Sequence, residues 1–156
     1  MTNEKIAEIA HEVNRAYCEA RGDMSIAPWH LASEAQQKSV INGVEFRIAN
    51  PNATPRESHD NWYAEKSTAG WKFAAVKCEA DKTHPCMMAY GDLPEEHRVK
   101  DSIFLAVVGN LLEYWENQKK DCAGKQPDAP DQKRDSSNDV TNSSPAGQDA
   151  VPDPEK

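Results

Sequence analysis

The supply of core-forming side chains runs out after Trp115, and that break decides how much of this chain can fold. From Glu116 to Lys156 there is no aromatic residue, and half of the ten prolines (Pro127, Pro130, Pro145, Pro152, Pro154) lie there among Asp, Ser, Asn, Gln and Lys. Such a stretch cannot bury enough apolar surface to offset the entropy of ordering it. Residues 118–156 are therefore expected to be a disordered polar tail, serving as a tether or a solubilising end. Residues 1–117 hold enough apolar material for one hydrophobic core and too little for two.

The formal net charge of -8 opposes non-specific nucleic-acid binding, because displacing counterions from a phosphate backbone needs a Lys/Arg-rich face. No nucleic-acid partner is expected. Residues 1–9, MTNEKIAEI, have neither the basic nor the apolar region of a secretory signal, and no apolar run approaches the roughly 20 residues of a membrane span. The expectation is a cytoplasmic chain without membrane attachment. Cys18, Cys78, Cys86 and Cys122 include no CxxC pair and are read as free thiols.

Helix signals dominate the rest. Ile6, Ile9, Ala10, Val13, Tyr17 and Ala20 recur at helical spacing and predict a first helix stopped by Gly22. Ser33 and Gln36, in capping-box spacing, predict a second start, with Val40, Ile41, Val44 and Ile48 on one face before Asn50-Pro51. Thr54, Pro55 and Glu57 predict a third, carrying His59, Trp62, Tyr63 and Lys66 and closing at Ala69-Gly70. Trp71, Phe73 and Ala75 alternate with Lys72, Ala74 and Val76, which predicts a short strand; Cys78 to His84 reads as a turn and Pro85–Tyr90 as a second extended segment. After Asp92, Pro94, Glu95 and Glu96, the stripe of Val99, Ile103, Phe104, Val107, Val108, Leu111, Leu112 and Trp115 predicts a long final helix. The fold class is mostly α with a small antiparallel β element.

His59-x-x-Trp62-x-x-x-Lys66-x-x-x-Gly70-Trp71-x-Phe73, Lys82-Thr83-His84-Pro85, Tyr90-x-x-Leu93 and Lys100-Asp101 follow one another in an order that resembles the RyR domain, the repeat of the cytoplasmic part of ryanodine receptors. The likeness runs from about residue 56 to 105. Residues 6–54 look like the helical extension of stand-alone bacterial and phage members. Phe73-Ala74 stands where the family usually has Tyr-Gly, and Ala89 where it usually has Pro. The resemblance implies helices packed on short strands, a non-enzymatic sensor or scaffold role, recognition of nucleotide-derived signals and, from the tandem receptor repeats, a homo-oligomer.

The chemistry of the matched residues reads two ways. Flat faces at Trp62, Trp71 and Tyr90 beside Lys66, Lys82, His84 and His59 suit a nucleotide-derived anion, through stacking and charge. The same tryptophans on amphipathic elements also read as core, and Trp, Tyr and Met on a surface serve a protein partner or a second copy equally well. Cys78-x5-His84-x-Cys86 lacks the paired spacing of a zinc motif, so no metal and no cofactor are expected. No GxSxG, HExxH, P-loop or GxGxxG is present, and a Cys86 nucleophile with His84 or His59 as base would need an electropositive, exposed thiol. The chain reads as a binding module and not as an enzyme.

Overall fold

The computed structural model describes residues 1–124. Four helices, α1 (Asn3–Ala20), α2 (Glu34–Ala49), α3 (Pro55–Thr68) and α4 (Glu95–Gly124), surround two short strands, β1 (Lys72–Phe73) and β2 (Thr83–His84). Single 3-10 turns at Trp29–Leu31 and Tyr90–Asp92 complete the order. Among the described residues, no helix is long and apolar enough to cross a membrane.

Local chemistry sets the helix ends. The Ser33 hydroxyl accepts from the Gln36 N–H at 3.3 Å. At α3 both halves of a capping box form: Thr54 Oγ1 accepts from Glu57 N–H at 3.3 Å, and Glu57 Oε2 accepts from Thr54 N–H at 2.8 Å. Both α1 and α3 close through a glycine in the left-handed region, Gly22 at φ 86° and Gly70 at φ 85°.

The core lies where α1, α2 and α4 meet, around Ile6, Ala7, Ala10, Trp29, Val44 and Val108. Trp29 is anchored there by its N–H, which donates to a Glu12 carboxylate oxygen at 2.6 Å. Gly43 brings α2 close to α4: a Cβ at that position would lie 3.0 Å from Phe104 Cζ. The buried face of α1 is rotated from the predicted stripe. Val13 is 37% exposed and Ala20 is exposed, while Ala7, Ala10, Asn14 and Cys18 run along the inner side, where neighbouring helices and not hydrophobicity alone decide what is covered.

Three expectations need correction. The strands are parallel and not antiparallel, with Lys72 opposite Thr83 and Phe73 opposite His84. The chain reverses twice between them: Cys78 bridges Thr83 in the antiparallel sense, and Lys82, at φ 51°, makes the second reversal that returns β2 along β1. Second, β2 falls in the stretch predicted as a turn, while Pro85–Tyr90 is not a strand, since His84 bonds its own chain two residues on and closes a turn there. Third, α4 continues through residues 118–124, which composition assigns to the tail. Glu116 and Lys119, paired at 2.7 Å one turn apart, fit a helix already nucleated upstream. The rest of the expected tail lies outside the described residues.

Candidate functional site

A cavity of about 600 Å³ opens between the helices and the strand pair. Its walls come from every main element: Ala10 and Asn14 of α1, Ser39 and Asn42 of α2, Trp62, Glu65 and Lys66 of α3, Lys77 and His84 of the strand region, and His97, Lys100, Asp101 and Phe104 of α4.

One wall is aromatic. Trp62 and Lys66 are four residues apart on α3 and so share a face. Past Gly70, the Trp71 N–H donates back to the Lys66 carbonyl at 2.9 Å, a helix-closing bond that folds the second indole over the lysine. Lys66 Nζ accordingly sits 5.3 Å from the centroid of the Trp71 ring. The His84 ring stands between the indoles, 5.1 Å from Trp62 and 6.4 Å from Trp71, edge-on to both. Both tryptophans are partly exposed.

The His84 Nδ1 accepts from the Cys86 N–H at 3.0 Å, which assigns the ring hydrogen to Nε2. Burial, reinforced by Lys77, Lys100, His97 and Lys66, lowers its pKa to about 3, so His84 is a neutral hydrogen-bond donor at any physiological pH. Burial likewise pushes the Cys86 thiol up to about 11, the reverse of what a nucleophile needs.

His59 Nε2 donates to the Met88 carbonyl at 2.9 Å, and its Nδ1 faces Asp101 Oδ2 at 3.7 Å. Burial raises the Asp101 carboxyl to about 7 against the pull of Lys100. Lys100 itself lines the cavity and forms no ion pair among the described residues.

Of the seven residues singled out from the sequence, His59, Trp62, Lys66, Trp71 and His84 line this cavity and Lys82 and Tyr90 do not. Lys82 Nζ donates to the Ala69 carbonyl at 2.8 Å, where it meets the negative end of α3. Tyr90 lies behind the wall, its ring 5.8 Å from His59 with the Arg56 guanidinium 5.2 Å from its centroid. The sequence reading passed over Asn14 and His97 as site residues. Asn14 Oδ1 and His97 Nδ1 are buried without a hydrogen-bond partner among the described residues. Each carried a signal: Asn14 continues the line Ala7, Ala10, Cys18, and His97, Asp101 and Phe104 share one face of α4, so polar groups interrupt apolar rows. Among the described residues no cluster of three or more His, Cys, Asp or Glu is arranged to hold a metal ion.

No curated protein matches the chain. Residues 48–120 match the family model of the RyR domain. The match takes in α3, both strands and most of α4, with the aromatic wall inside it, and on that ground residues 48–120 are assigned to the RyR domain family.

Proposed function

We propose that this chain is a non-enzymatic binding module whose cavity takes a small anionic, nucleotide-derived ligand, acting as a sensor or by sequestration. One observation carries the reading: two partly exposed indoles flank a neutral histidine donor, with a lysine ammonium over one of them, on the wall of a single hollow. A base stacks on an indole face, and Lys66 supplies positive charge for a phosphate together with Lys100, which has no ion pair among the described residues. The raised Cys86 pKa speaks against a thiolate mechanism.

The test is a thermal-shift panel of nucleotides, cyclic nucleotides and NAD derivatives on the full chain. A true ligand at 100 times its Kd stabilises by about 2.7 kcal/mol, several degrees for a domain of this size. Trp71→Ala removes roughly 1 to 3 kcal/mol of stacking, a loss of about 5- to 150-fold in affinity. No shift from any member of the panel would sink the reading.

A second reading, a scaffold that pairs with another copy of itself and needs no small molecule, draws on Phe73 of β1 and Val76 just after it, which are 57% and 73% exposed. Sedimentation that depends on concentration, and that Phe73→Ser abolishes, would favour it.

A further inference from the structure

We infer that the end of the cavity between α1 and α4 is a second subsite, shaped for a neutral hydroxyl-bearing group, such as a sugar, attached to the anion held at the aromatic wall. The inference rests on the nucleotide reading of that wall and extends it to the far end of the same hollow.

Asn14 occupies the inner line of α1 between Ala10 and Cys18, where an apolar side chain would pack, yet it presents a buried carbonyl oxygen that nothing among the described residues satisfies. Buried polar atoms in native proteins almost always have a partner, so an orphan on a cavity wall points to what enters the cavity. Asp23 and Ser25 line the same hollow. Hydrogen bonds from Ser25 hold the Asp23 carboxyl below its usual range, so this neighbour is an anion and another acceptor. His97 adds a ring nitrogen without a partner among the described residues, and burial lowers its pKa, which favours the neutral ring. Lys100 lines the same hollow and acts electrostatically on both Asp23 and His84, so its charge is felt at both ends.

This mixture excludes most chemistries. An anion would meet the Asp23 carboxylate and an ammonium would meet Lys100. An apolar group would leave Asn14 Oδ1 and His97 Nδ1 buried and unsatisfied. A neutral hydroxyl donates to Asn14 or Asp23 while accepting from Lys100 or His97, so each charge becomes an asset. The phosphate near Lys66 and His84 and the hydroxyls near Asn14 are then parts of one ligand.

The test is titration calorimetry on the full chain with ADP and ADP-glucose, and in parallel with UDP and UDP-glucose. The glucose-bearing member of a pair is expected to bind at least about 5-fold tighter than its parent, the worth of one net hydrogen bond. Asn14→Leu should erase that advantage while leaving the parent diphosphate unchanged; if that variant does not fold, Asn14→Ala, which also removes the acceptor oxygen and suits a helix interior, carries the same expectation. Equal affinity for parent and conjugate in the wild type overturns the second subsite while the nucleotide reading stands. If neither diphosphate nor conjugate binds, both fall together.

Discussion

Asp101 and His84 face the same cavity, and burial has pushed both toward neutrality, with opposite consequences for stability. Asp101 has a folded pKa of about 7, above the ordinary carboxylate value, so the unfolded chain releases its proton first as pH rises. Its contribution is fully present in acid and is lost as pH climbs toward about 7. His84, with a folded pKa of about 3, contributes fully above its ordinary value and loses stability as pH falls below that. The two slopes oppose one another between about pH 4 and 6.5. Asp101→Asn should therefore melt higher than the wild type at pH 8 and lose that lead on acidification, leaving a midpoint that falls below about pH 6.5. A variant that melts lower at pH 8 would mean that the carboxylate is a needed partner of His59 and contradict this account.

At the level of elements, the third helix depends on reciprocal bonds at one end and a borrowed ammonium at the other. Thr54→Ala removes the side chain that accepts from Glu57 N–H and should cost about 1 kcal/mol, read as a lowered thermal midpoint. Lys82 holds φ 51°, a region where a side chain is strained, and so Lys82→Gly relieves the backbone while giving up the bond to the Ala69 carbonyl. The expected net change is small, within about 0.5 kcal/mol, and nucleotide affinity should not move, since Lys82 lies outside the cavity. A marked loss of binding in Lys82→Gly would return that lysine to the site. Helix starts and stops were readable because caps act within four residues: Ser33, Thr54, Gly22 and Gly70 mark them without reference to the fold. Strand direction was not, because it is set by how often the chain reverses between Phe73 and Thr83, and the second reversal is made by a lysine in place of a glycine. Trp62, Lys66 and Trp71 were readable as a group because one helix turn and one closing bond unite them. Asn14 was not, because its significance appears only once α4 brings His97 to the same hollow.

For the molecule as a whole, the matched stretch and the folding unit do not coincide. The core residues Ile6, Ala7, Ala10, Trp29 and Val44 all precede residue 48, where the match to the family begins. A fragment of residues 48–120 would leave Val108, Leu111 and Leu112 of α4 without cover. It should bind a hydrophobic dye and melt without a cooperative transition, by fluorescence and circular dichroism; a sharp melt at the full chain's midpoint would show that the matched stretch folds alone. The division has a bearing on descent. Asn14, Ser39 and Asn42 furnish one side of the hollow from outside the stretch that defines kinship, whereas the indoles furnish the other from within it. Substitutions in the opening third can thus retune what is held while the portion that betrays ancestry stays constant, and two such chains that align closely there need not share a cargo.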